Sequence, residues 1–351
     1  MAVPPFLPPF LGLLWPASSA SSAPSPLRAA RCARFAWGVL AWDVAVVAWG
    51  AYVRATGSGA GCGSHWPLCN GEFVPRTGRT ETLIELSHRV SSGLALVLTL
   101  SLLVSVWRAF PPRHAARRGA AAAMAFMVTE ALLGAALVLF ELVAHDTSMK
   151  RALSVGLHLI NTFFLLASTA LTASWASGTA PPRLRGQAPV VWALGACFLG
   201  MLLVGGSGAV TALGDTLFPP SSLSAGLAQD FAQPGSHVHV FLRLRVLHPV
   251  FAAATAVAVV VASGVVRVLR PSAAVRSYSR LTTVLVIVQV AIGLSNVWML
   301  APVWMQLVHL AFADAVWVSL VLTAGAALAV PQGTKRVEGA GTASDGRPAF
   351  T

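Results

Sequence analysis

The sequence predicts an all-α integral membrane protein of eight spanning helices, and three observations carry that prediction: the apolar share, the length of the apolar runs, and the sorting of basic residues between them. Of 351 residues, 56% are hydrophobic and 10% charged, a balance far from that of water-soluble domains. Runs of about 20 apolar residues cross a hydrocarbon core of about 30 Å as helices, because the helix satisfies its own backbone where water cannot. Eight such runs occur, at about 35–53, 83–107, 120–142, 152–174, 189–213, 246–266, 281–300 and 304–329.

The formal charge of +12 does not mark a nucleic-acid surface, since the basic residues alternate by loop instead of forming one face. Arg28, Arg31 and Arg34 precede the first run, and Arg108, Arg113, Arg117 and Arg118 follow the second. Arg183 and Arg185 follow the fourth, Arg267, Arg270, Arg276 and Arg280 the sixth, and Lys335 and Arg336 the eighth. Positive loops stay inside. Both termini are therefore expected in the cytoplasm of a multi-pass protein of the inner or plasma membrane, with the bilayer as its surroundings and no nucleic-acid partner.

Residues 1–34 are rich in Pro, Ser and Ala, and the apolar patch Phe6–Trp15 has no basic region ahead of it. They read as a disordered tail and not as a signal peptide. Residues 331–351 read as a second tail. Residues 177–188 read as a cytoplasmic linker dividing two four-helix bundles, 35–176 and 189–330.

Landmarks recur between these halves. His88 and His248 are 160 residues apart, and His158 and His309 are 151 apart. Glu130-Ala-Leu-Leu-Gly134 aligns with Gln289-Val-Ala-Ile-Gly293 at an offset of 159, and Gly57-Ser58-Gly59 with Gly206-Ser207-Gly208 at 149. An even number of spans per half gives both halves one orientation, related by a pseudo-twofold axis along the membrane normal.

His88, His158, His248 and His309 each fall roughly one to two turns into the even-numbered runs, all near the non-cytoplasmic face. An ionisable residue at that depth costs several kcal/mol and needs a partner. Each could merely hydrogen-bond a neighbouring helix, but four at matched depth on alternate helices favour a shared ligand role. Cofactor sites in bundles are built from facing helices, so His88 with His158 and His248 with His309 form two axial pairs suited to haem iron.

The surroundings of the pairs differ. Glu85, three residues before His88, shares its helix face, whereas Arg245 holds the corresponding slot before His248. A carboxylate suits proton handling or stabilisation of a cationic intermediate; alternatively, Glu85 pairs with Arg89 or Arg54 at the rim. Arg54, Arg89, Arg243 and Arg245 lie at span ends where haem propionates emerge, and are either propionate anchors or interface charges. Cys62 and Cys69, in the loop after the first span, are placed for a disulfide, with metal binding or thiol exchange as the other readings. Cys32 reads as an isolated thiol in the tail and Cys197 as one in span five. Glu130, Gln289, Asp43 and Asp314 sit at membrane depth, as bundle-internal hydrogen-bonding groups or as parts of a proton path. The loop histidines His65, His114, His145, His237 and His239 read as solvated.

Specific strings then narrow the class. Val53-Arg54-Ala55-Thr56-Gly57-Ser58-Gly59, Cys62, His65-Trp66-Pro67-Leu68-Cys69-Asn70-Gly71 and Glu85-Leu86-Ser87-His88-Arg89 closely resemble the haem A synthase family. So do Ser207-Gly208-Ala209-Val210-Thr211-Ala212-Leu213-Gly214-Asp215, Arg243-Leu244-Arg245, His248-Pro249 and Leu307-Val308-His309-Leu310. The resemblance covers about residues 35–330. It implies an eight-helix oxidoreductase that converts a methyl substituent of haem O to the formyl group of haem A for cytochrome oxidase. By the same resemblance, His88 and His158 flank the substrate haem, His248 and His309 ligate haem B, Glu85 is the catalytic carboxylate, Cys62 and Cys69 form a disulfide, and the upstream haem O synthase is a candidate contact. The second cysteine pair that many relatives carry between spans five and six is missing here. Two other functions compete: a two-haem membrane cytochrome that only carries electrons, and a haem exporter or chaperone.

Overall fold

A computed structural model describes residues 25–76, 78–231 and 239–329. Its helices are α1 (Pro26–Ala55), α2 (Thr80–Ala109), α3 (Ala115–Leu139), α4 (Met149–Ala176), α5 (Ala188–Leu217), α6 (Leu223–Asp230), α7 (Val240–Arg245), α8 (Leu247–Leu269), α9 (Ala273–Trp298) and α10 (Val303–Leu328), with a single 3-10 turn at Ser58–Ala60. Eight segments are long and apolar enough to span a membrane, α7 and α8 together making the sixth. The chain is an all-α, multi-pass membrane protein. Its outward faces are apolar, as at Val257, Val261, Val265 and Val268 along α8 and Val284, Ile287 and Leu294 along α9, a pattern that in water would be an aggregation surface.

Helix α1 packs on α2 and α4, and α3 lies between α2 and α4. In the second half α8 packs on α5 and α9, and α10 closes the ring against α9 and α5. The seam between the halves runs through α4, which touches both α5 and α10. There Trp317 donates from Nε1 to the Phe163 carbonyl at 2.6 Å, and the two rings stack with centres 4.8 Å apart. Such a bond leaves the indole with no unsatisfied donor in the apolar interior.

Two boundaries depart from the sequence reading. The tail predicted to end at residue 34 is helical from Pro26, so Cys32 is buried within α1; proline at the first helical position followed by Leu, Ala and Arg is a strong helix start. The tail assignments for residues 1–24 and 331–351 lie outside the described residues. The linker at 177–188 is tied down, Arg183 donating its N–H to the Leu328 carbonyl at 2.8 Å. Finally, the segment before the sixth span holds the additional helix α6, and the span itself starts at Val240, ahead of the predicted 246, as the short helix α7 that breaks from α8 at Val246. Pro249 accounts for that break, since it has no N–H for the Arg245 carbonyl and its ring crowds that oxygen.

Candidate functional site

All four histidines fall within roughly three turns of the N-terminal ends of α2, α4, α8 and α10, if the α7–α8 span is counted as one. The neighbouring helices run the other way and deliver their C-terminal turns to the same end. Each imidazole lies against a glycine there. A Cβ on Gly50 would stand 2.9 Å from Cε1 of His88, one on Gly208 3.0 Å from Cε1 of His248, and one on Gly293 3.1 Å from Cε1 of His309. At Gly134 it would sit 3.7 Å from Nε2 of His158. A side chain at the first three would push the ring out of place, so glycine is required for the close approach of helix backbone to imidazole. Gly50 and Gly208 are 158 residues apart, close to the 160 between His88 and His248, and Gly134 and Gly293 are 159 apart, as are Glu130 and Gln289; the structure thus pairs Gly208 with Gly50, not with Gly59 as the aligned strings have it.

His248 and His309 come together with ring centres 6.3 Å apart and planes crossed at 81°. Among the described residues no group of three or more His, Cys, Asp and Glu side chains could hold a bare metal ion.

The ring nitrogens are held unequally. Ser207 Oγ is 3.3 Å from Nδ1 of His248. Gln289 Nε2 is 3.2 Å from Nδ1 of His309 and donates to the His309 carbonyl at 3.1 Å. Glu130 Oε1 is 2.9 Å from Nδ1 of His158, close enough to pair with it, although neither that nitrogen nor Nδ1 of His88 makes a hydrogen bond of regular geometry among the described residues.

Glu85 is buried, with 3% of its surface exposed. Its Oε2 accepts from the Cys62 N–H at 2.8 Å, and its Oε1 from Arg89 Nη2 at 2.6 Å and Nε at 3.2 Å. Arg89 also donates through Nη1 to the carbonyls of His65 and Leu68, both at 2.6 Å. Glu85 and Arg89 thus clamp the loop that the Cys62–Cys69 disulfide closes. Of the two rim partners considered for Glu85, the structure provides Arg89.

Gly61 seats the same loop on α2, where an added Cβ would collide with the Glu81 carbonyl and the Thr82 amide. Because backbone cannot yield as a flexible side chain does, Gly61→Ala is expected to lift the loop, weaken the Cys62–Glu85 hydrogen bond and cost about 1–3 kcal/mol. A lower thermal unfolding midpoint in detergent, with faster reduction of Cys62–Cys69, is the measurable outcome.

Arg54 reaches into the other half, donating from Nη1 to the Ala212 carbonyl and Thr216 Oγ1, each at 2.8 Å, and from Nη2 to Gln306 Oε1 at 2.9 Å. Arg245 binds Asp215 Oδ1 at 2.8 Å and Asp230 Oδ1 at 2.6 Å. The slot read as cationic is therefore offset by two carboxylates, neither assigned a role from sequence; Asp230 was unreadable because it lies on α6. Arg243 stands on α7, two residues before Arg245. Asp43 and Asp314 are buried, and their carboxylate oxygens have no hydrogen-bond partner among the described residues. His114 and His239, read as solvated, instead cap α3 and α7 by accepting from the N–H groups of Ala116 and Phe241. His65 and His145 are exposed, and His237 lies outside the described residues.

Residues 33–321 match a family model described as cytochrome oxidase assembly protein. Two strains of Thermus thermophilus hold proteins named protoheme IX farnesyltransferase that are 53% and 52% identical over 308 residues, 88% of this chain and 50% of theirs. A protein of Bacillus mycoides named heme A synthase is 47% identical over 91 residues, 26% of this chain and 29% of its own. The chain spans about half the length of the Thermus relatives and matches a smaller share of the Bacillus one.

Proposed function

The chain belongs to the cytochrome oxidase assembly protein family, and on that premise we propose that it is a haem A synthase, oxidising a methyl substituent of haem O to the formyl group of haem A, with haem B as its resident cofactor. The observation that carries the reading is the pair of imidazoles on α8 and α10. Two metal–nitrogen bonds of about 2 Å each, plus the half-width of each ring, fill the 6.3 Å between their centres. The four glycines leave the backbone side of each imidazole clear, so the residues present fit a flat macrocycle held from both faces.

Haem, when bound, supplies the redox-active iron and, as substrate, the methyl group. His248 and His309 would hold haem B, and His88 and His158 the substrate. Glu85 would stabilise positive charge developing at the reacting carbon or take up a proton there, in a pocket roofed by the disulfide loop. Arg54, Arg89, Arg243 and Arg245 are the basic groups at this end for propionates, each of them already engaged within the protein. The arginine sorting supports termini on the cytoplasmic side and haem sites near the opposite face, and the recurring histidine–glycine offsets support two duplicated halves, each holding one site.

His88 favours synthesis over electron carriage. A carrier needs two permanently fixed haems, and the unpartnered Nδ1 of His88 contrasts with Ser207 on His248, as suits an exchangeable substrate beside a resident cofactor. The Thermus relatives, about twice as long and named for farnesyl transfer, support contact between this chain and a farnesyltransferase. Haems extracted from the protein purified out of cells that also make haem O decide the matter. Haem A or a hydroxylated intermediate is expected; haem B alone in both sites would make it a carrier, and haem O formed without the added enzyme would make it a transferase.

A further inference from the structure

The second helix contributing to each site carries a polar residue one turn before its glycine: Glu130 before Gly134 on α3, and Gln289 before Gly293 on α9. In both cases the glycine borders the imidazole and the polar side chain approaches its Nδ1. The two differ in charge. Glu130 is further fixed by Asn161 Nδ2 and Thr162 Oγ1, both donating to its oxygens. These residues follow His158 by three and four positions on α4, on the same face, so the carboxylate and the imidazole are registered to one another.

We propose that Glu130 is a positioning residue for the first site, orienting His158 and strengthening it as an iron donor, and that Gln289, at the corresponding place beside His309, is neutral and does not strengthen its imidazole. This inference rests on the haem reading above. A carboxylate on the distal nitrogen of a ligating imidazole fixes the tautomer that offers Nε2 to the metal and raises the basicity of that nitrogen. A stronger donor favours oxidised iron. The Gln289 amide has no such effect, because the group it turns toward the His309 ring is its NH2, a donor that lies 3.2 Å from Nδ1 and 3.4 Å from Nε2 and cannot accept a ring N–H. The first site thus has one imidazole, His158, with a carboxylate 2.9 Å from its Nδ1 and one, His88, with no ion pair among the described residues; in the second site the neighbours of Nδ1 are the neutral groups of Ser207 and Gln289. Such an arrangement lets a substrate stay attached through α4 while the α2 ligand adjusts.

The test uses the full-length protein in detergent, titrated with ferric haem B and followed by absorption and potentiometric titration. Glu130→Gln is expected to weaken binding at one of two sites by about 10–100-fold and shift that site's midpoint potential upward, with the other unchanged. Glu130→Asp, which retains the charge on a shorter arm, should recover part of both effects. Gln289→Glu is expected to shift the other site's potential downward. A Glu130→Gln protein that binds two haems with parental affinity and potentials would overturn the proposal while leaving the haem reading standing. If Glu130→Gln does not assemble, Gln289→Glu decides alone, an unmoved potential overturning the proposal. If the parent protein takes up no low-spin haem, the haem reading falls and this inference with it.

Discussion

Glu85→Gln is expected to lower haem A output by about 10²-fold or more while the haem site between α8 and α10 keeps its spectrum. Gln is not a silent isostere here. The carboxylate accepts from the Cys62 amide on one oxygen and from the Arg89 guanidinium on the other, so an amide must turn its NH2 toward one of these donors. Breaking a buried charge pair from one side costs about 3–5 kcal/mol, and part of any loss of activity will come from a loosened disulfide loop. Arg89→Gln separates the two contributions because it opens the same clamp and leaves the carboxylate in place. If Glu85 acts on the reacting carbon, its variant should accumulate haem O or the alcohol and fall well below Arg89→Gln. Equal losses in the two variants would reduce Glu85 to a fastener of the loop. Chromatography of extracted haems gives the comparison.

His248→Ala and His309→Ala are each expected to abolish the six-coordinate haem spectrum of the second site. With one imidazole gone, the remaining ring must hold the iron alone, and a methyl group stands where a ring filled the space. Gly208 and Gly293 cannot compensate, because they leave room for the imidazole and offer no ligand of their own. The haem-to-protein ratio and the visible spectrum of each purified variant check this. Full retention of a low-spin spectrum in both would remove the second site from these residues.

The eight spans were legible because apolar length is a local property, and the four histidines because ionisable groups stand out against Leu and Val. The Cys62–Cys69 pairing was legible as one of three readings, since the cysteines share one loop. Partners separated by long stretches of chain were not. Arg54 reads as a rim charge until Ala212, Thr216 and Gln306 are brought beside it from positions 158 to 252 residues away. Likewise, the approach of Glu130 to His158 depends on the rotation of α3 against α4, which hydropathy does not encode. The start of α1 was readable from Pro26 but masked by the Pro- and Ser-rich composition ahead of it. Three of the site glycines, Gly134, Gly293 and Gly208, stood in the recurring strings without a role, and Gly50 did not; small residues are simply too common among membrane helices to attract notice singly.

The Arg54 contacts bear on how the molecule comes apart. One guanidinium from α1 is satisfied entirely by oxygens of α5 and α10, and at the seam the Trp317 indole depends on a carbonyl of α4. Cutting the chain between residues 177 and 188 would leave each fragment with a buried donor or acceptor short of its mate, a penalty of about 1–3 kcal/mol per group and more for the charged one. Neither fragment is then an autonomous folding unit. The intact protein should melt in one cooperative transition, and two separately expressed fragments should become stable only where they meet in the same bilayer.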